Sequence, residues 1–68
     1  MEEERSVSRR VSRLRRRAGI SRDLLAAKTG IPYGHLCKAL AGKRPFYADE
    51  LPALARALGV SMDELLEL

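Results

Sequence analysis

The stretch that decides the fold is Ser21-Arg22-Asp23-Leu24-Leu25-Ala26-Ala27-Lys28-Thr29-Gly30-Ile31-Pro32-Tyr33-Gly34-His35-Leu36. Ser21 sits where a helix N-cap belongs, and Asp23 in the first turn favours the positive end of the helix dipole. This helix carries Leu24, Leu25 and Ala26 and is expected to end near Lys28. Pro32 marks the next start, because proline is tolerated in a first turn whose N–H has no partner. Only the residues from Thr29 to Pro32 separate the two helices. A turn that tight forces a steep crossing, and each demand of the crossing has a residue to meet it. Ala26 is the small residue where the helices touch, and Gly30 accepts a positive φ. Ile31 plugs the core behind the turn, and Leu36 drops a branched side chain inward.

Helical spacing continues on both sides. Val7, Val11, Leu14 and Ala18 form one apolar stripe on a first helix otherwise rich in arginine, predicted from about Glu3 to Arg17 with Gly19 as its stop. The helix after the turn is predicted over roughly Tyr33 to Ala41, burying Leu36, Ala39 and Leu40, and Gly42-Lys43-Arg44-Pro45 reads as a loop. A fourth helix is expected over about 49–58, with Asp49 or a neighbour as cap, burying Leu51, Leu54, Ala55 and Leu58, and with Pro52 in its first turn. Ser61-Met62-Asp63-Glu64 is a capping box that opens a short last helix over about 62–67. No period-two run of β-branched and aromatic residues marks a strand. The expected fold is all-α, a compact five-helix bundle forming a single domain over residues 1–68, with the central helix pair at about 22–41.

Size and composition narrow the function. A chain of 68 residues buries only about 60% of the surface its unfolded form exposes, which leaves little room for both a substrate pocket and a core. With 46% hydrophobic and 32% charged residues it reads as globular. No apolar run approaches the roughly 20 residues that span a bilayer, and Met1-Glu2-Glu3-Glu4-Arg5 is not expected to be a secretory signal. Cys37 is alone, so an intramolecular disulfide and a cysteine-based metal site are excluded, and a reducing, cytoplasmic setting is expected. There is no second histidine, no Ser-His-Asp set and no glycine-rich phosphate cradle. Neither an enzyme nor a cofactor, metal, membrane or small-molecule ligand is expected.

Charge is segregated. Residues 1–44 hold twelve Lys or Arg against four acids, whereas residues 45–68 hold Arg56 against Asp49, Glu50, Asp63, Glu64 and Glu67. A basic first two thirds, on a chain of net charge +4, points to a polyanion as partner. For Arg9, Arg10, Arg13, Arg16 and Arg17 a merely solvated helix face is equally open. Met62, Leu65, Leu66 and Leu68 are expected either to pack as core or to form a symmetric dimer surface.

The pattern Arg22-x3-Ala26-x3-Gly30-Ile31-x4-Leu36 resembles the helix-turn-helix of DNA-binding proteins. The likeness extends from Leu14 to Leu66, through Arg15-Arg16-Arg17-Ala18-Gly19-Ile20-Ser21, Gly42-Lys43-Arg44-Pro45 and Leu54-Ala55-Arg56-Ala57-Leu58-Gly59-Val60-Ser61-Met62-Asp63-Glu64-Leu65-Leu66. Over that length the chain resembles the phage repressor/Cro-type (XRE-like) family. The resemblance implies that the helix after the turn enters the major groove of double-stranded DNA. Tyr33, Gly34 and Lys38 then face base edges, with Pro32, His35 and Cys37 near the groove wall. Arg22 reaches a phosphate beside the recognition helix, Lys43 and Arg44 meet the backbone on the far side, and Arg15 is a further phosphate contact.

Some residues differ from the family's habit. Arg22 stands where glutamine is common, and Pro32 where serine or threonine caps the helix. Gly34 offers no side chain and costs about 1 kcal/mol of helix stability relative to alanine. Leu40 replaces an acid that pairs with an arginine of the first helix, so Arg15 is expected to be left for DNA. These changes favour phosphates over bases. The resemblance implies a bacterial or phage transcriptional regulator, a Cro-like repressor acting by promoter occlusion, which dimerises through its C-terminal helix or binds cooperatively as a monomer. An architectural or recombination accessory DNA binder and an antitoxin-like protein-interaction module are the other readings.

Overall fold

The computed structural model describes the backbone of residues 2–67 and the side chains of residues 6–67. Leu68, expected in the core or at a dimer surface, lies outside the described residues. The chain folds as α1 (Glu2–Ala18), α2 (Arg22–Thr29), α3 (Tyr33–Leu40), a 3-10 turn (Ala48–Glu50), α4 (Leu51–Leu58) and α5 (Met62–Leu66). All regular structure among the described residues is helical, in a body of 26 × 23 × 21 Å.

Local chemistry sets the boundaries. At the end of α1 the amides of Gly19 and Ile20 turn back to the carbonyls of Arg16 and Arg15, both at 3.1 Å. Ser21 caps α2, its Oγ accepting from the Leu24 amide at 3.1 Å. Gly30 closes α2 with φ 77°, the left-handed conformation the tight turn requires, and donates its N–H to the Ala26 carbonyl. Thr29 knits the same turn: its Oγ1 donates to the Leu25 carbonyl at 2.8 Å and accepts from the Ile31 amide at 3.3 Å.

The core runs through every helix. Val11 and Leu14 of α1, Leu25 and Ala26 of α2, Ile31 of the turn, Leu36 of α3, Leu54, Ala55 and Leu58 of α4 and Leu65 of α5 form one buried cluster. Ser8 is the polar residue buried beside it, and its Oγ donates to the carbonyl of Ala39, tying α1 to the C-terminal turn of α3.

Several expectations are corrected. Ala18, the last residue of α1, is exposed, and Ser8 shares the buried side of α1 with Val11 and Leu14 instead. Leu24 is 45% exposed, since α2 turns Leu25 and Ala26 inward and leaves Leu24 on its outer side. α3 stops at Leu40, one residue before the expected end, and Leu40 and Leu51 are only half-buried against the core. The predicted fourth helix divides at Glu50 into a 3-10 turn and α4, so Asp49 lies within the 3-10 turn and is not a helix cap. α5 ends one residue early, at Leu66. At its start only the Ser61 half of the predicted capping box forms, with Ser61 Oγ accepting from the Glu64 amide at 3.0 Å. The Glu64 carboxylate turns to Arg17.

Candidate nucleic-acid interface

One face of the short α3 is withheld from the core. Leu36 and Ala39 point in, whereas Tyr33, Gly34, His35 and Lys38 are exposed and Cys37 is half-buried. Tyr33 and Cys37 stand four residues apart, as do Gly34 and Lys38, so each pair shares one side of the helix. The Cys37 thiol, by hydrogen bonding and by its charge when ionised, pushes the Tyr33 phenol above its ordinary value, while the Arg22 guanidinium pulls it down and Asp23 adds to the rise. Tyr33 therefore remains a neutral donor at physiological pH. Arg22, at the start of α2, is exposed like Tyr33.

Arg44 does not reach outward like Lys43. Its guanidinium makes two bonds to Glu50, Nη1 to Oε1 at 3.3 Å and Nη2 to Oε2 at 3.2 Å, and stacks on the Tyr47 ring at 4.4 Å from the centroid. Burial raises the Glu50 carboxyl, but hydrogen bonds from Arg44 and from the Tyr47 amide, at 2.9 Å, outweigh it and hold the group below the ordinary carboxylate range. The clamp ties the α3–α4 loop to the start of α4. Lys43, one residue earlier, is exposed, with its amide fixed to the Lys38 carbonyl at 2.8 Å.

Arg15 is not left free, contrary to expectation. With Leu40 in place of an acid, its Nη1 turns to the Ile20 carbonyl at 2.8 Å, within the turn that ends α1. Three further arginines of α1 meet the C-terminal end of the chain. Arg10 lies 3.0 Å from Glu67 and donates to the Leu65 carbonyl at 3.0 Å, while Arg13 reaches Glu67 and Arg17 reaches Glu64, each at 3.3 Å. Arg10 and Arg13 hold the Glu67 carboxyl below its ordinary value. The acidic end of the chain is thus the counter-charge of α1. Much of the basic excess read from the sequence is spent inside the molecule. Arg22, Lys38 and Lys43 make no ion pair among the described residues.

Arg22, Tyr33, Gly34, Lys38 and Lys43 are all exposed, with Lys43 held against the end of α3 by its bond to the Lys38 carbonyl, whereas Arg15 and Arg44 turn to intramolecular partners. Sequence reasoning missed two supports of this surface. Ser8 was concealed as one of three serines in an arginine-rich helix, with Ser6 and Ser12 beside it in sequence, whereas Thr29 beside Gly30 carried a readable signal, since threonine hydroxyls commonly bond the backbone of a preceding turn. Among the described residues no group of three His, Cys, Asp or Glu is placed to hold a metal ion, and no helix is long and apolar enough to cross a membrane. In comparisons with known proteins, a family model described as a helix-turn-helix domain matches residues 6–68. No curated protein and no solved structure matches the chain significantly.

Proposed function

Because the chain belongs to the helix-turn-helix domain family, of the XRE/Cro-like type, we propose that it is a sequence-specific regulator that reads double-stranded DNA with α3 in the major groove. An eight-residue helix is about 12 Å long and about 10 Å across, a fit to a groove about 12 Å wide. Lys38 donates to guanine O6 or N7, and Tyr33 offers its hydroxyl to a base edge and its ring to a thymine methyl. Arg22 and Lys43 flank α3 and take phosphates on either side, while Pro32, His35 and Cys37 approach the groove wall. Arg15 and Arg44 serve as braces that hold the end of α1 and the α3–α4 loop in position.

The observation that carries this reading is the sorting of charge: most arginines of α1 and Arg44 have partners within the chain, whereas the cations around α3 have none among the described residues. Phosphate contacts fix register and affinity, and base edges confer preference. We place the protein as a repressor that occludes a promoter. Two copies related through α5, where Met62 is exposed, would sit on half-sites roughly 34 Å apart.

The test is selection from random duplex DNA at two salt concentrations, followed by sequencing. An inverted repeat is expected, with Tyr33→Ala or Lys38→Ala costing tenfold or more on the selected duplex and little on a scrambled one. Arg22 and Lys43, the two phosphate contacts, set an expected log–log salt slope of about −2 per chain. Binding that is steeply salt-dependent but leaves the pool random would make the protein an architectural binder. No binding even at low salt would point to a protein partner.

A further inference from the structure

We infer that Gly34 is kept for the DNA and not for the fold: its bare backbone lets α3 come into van der Waals contact with base edges, at a distance that any side chain would prevent. The inference rests on the DNA-binding reading above and specifies how close that contact is.

Neither of the usual structural reasons for a glycine applies here. Gly30 is needed for its left-handed φ, but Gly34 is absent from the positive-φ glycines and lies within the regular helix. A Cβ built on Gly34 would meet nothing within 4 Å, so no neighbour in the protein forbids a side chain. Alanine would also make the better helix. α3 is poorly placed to carry that cost, being eight residues long with no side-chain hydrogen bond capping its start. The residue that weakens it is exposed in the first turn, directly after Tyr33 and one turn before Lys38.

A destabilising residue that the fold does not require, between two residues proposed to meet bases, is what close backbone approach to a ligand demands. A methyl group at position 34 would extend the helix surface by about 1.5 Å. It would lift Tyr33 and Lys38 from the base edges they are placed to meet.

Gly34→Ala and Gly34→Ser in the full chain test this, by thermal unfolding and by binding to the duplex that the wild-type chain selects and to a scrambled duplex. Gly34→Ala is expected to raise Tm by a few degrees. The same variant should bind the selected duplex at least tenfold more weakly while changing scrambled-duplex binding less than twofold. Gly34→Ser should weaken selected binding as well, since the obstruction is the Cβ. A stabilised Gly34→Ala variant that binds as tightly as the wild type overturns the inference. So does a variant with lowered Tm, which would return the glycine to the fold, or a serine variant that restores affinity lost in the alanine variant. A wild-type chain that binds no duplex at all overturns the DNA-binding reading, and this inference with it, an outcome distinct from any the Gly34 variants produce.

Discussion

Arginine and lysine are used in opposite ways on two sides of this small protein. Where α1 meets α5, Arg10, Arg13 and Arg17 are matched to Glu64 and Glu67, and Arg10 reaches in further to the carbonyl of Leu65. Around α3, Arg22, Lys38 and Lys43 have no carboxylate partner among the described residues. A formal charge of +4 therefore describes neither region. The clasp is near neutral and holds a short terminal helix in place, whereas the α3 face keeps its field for a ligand. Where charges are paired matters more than how many there are, because a cation already bound to an internal carboxylate must break that bond before it can release counterions from DNA.

The largest effect expected from a single substitution removes both regions at once. Leu36 is fully buried in the cluster that joins α3 to α1, α2 and α4. Leu36→Ala should cost about 2–5 kcal/mol, from lost burial and the cavity left behind. Stable single domains have only about 5–15 kcal/mol in total, and one of this size sits towards the low end. Urea denaturation should show a transition shifted far to lower denaturant, with DNA binding lost in parallel. A variant with unchanged stability would mean that α3 does not depend on this core.

A smaller effect separates the loop clamp from both regions. The Arg44–Glu50 pair is mostly shielded, with side chains 16% and 17% exposed, and each oxygen of Glu50 accepts from a different guanidinium nitrogen. Glu50→Gln weakens two charge-assisted bonds and the bond to the Tyr47 amide, and should cost about 1.5–3 kcal/mol. The pH dependence has a definite sign. The folded-state pKa of Glu50 is lowered from 4.5, so its contribution is complete above that value and is lost as pH falls through 4.5 and below. Glu67 is also lowered and acts in the same direction. Thermal melts between pH 6 and 3 should show falling stability in the wild type and a flatter profile in Glu50→Gln. Equal slopes would show that the clamp does not form in solution.

Much of this was legible from local sequence, and the reason is physical. Ser21, Gly30 and Pro32 state backbone requirements that act within a few residues, so α2, the turn and α3 were placed within one or two positions. Leu25, Ala26 and Leu36 followed from their spacing. Contacts between distant residues were not legible. Arg17 meets Glu64 across 47 positions, Arg10 meets Leu65 across 55, and Ser8 meets Ala39 across 31, and no periodicity in the chain announces such pairs. The candidate site was accordingly half readable. Its exposed residues follow from helical phase, but the assignment of Arg15 and Arg44 to internal partners depends on where α1 ends and how the loop folds back on Glu50.

The smallest expected effect tests the clasp itself. Arg17 and Glu64 stand 3.3 Å apart with side chains 66% and 51% exposed. An ion pair in water gains little, because the attraction is screened and two long side chains must be held still, and such pairs contribute about 0–1 kcal/mol. Arg17→Ala should therefore lower stability by no more than this at low ionic strength, and the difference should vanish near 1 M salt, where the screening length is about 3 Å. Its effect on DNA binding should be smaller still. A cation whose charge is answered by Glu64 releases few counterions, so Arg17→Ala should leave affinity for the selected duplex within about twofold and the salt slope unchanged. Lys43→Ala, which removes an unpaired cation beside α3, should reduce that slope by about one. If Arg17→Ala reduced the slope as much as Lys43→Ala, α5 would have to release α1 when DNA arrives, and the clasp would belong to the binding surface rather than stand apart from it.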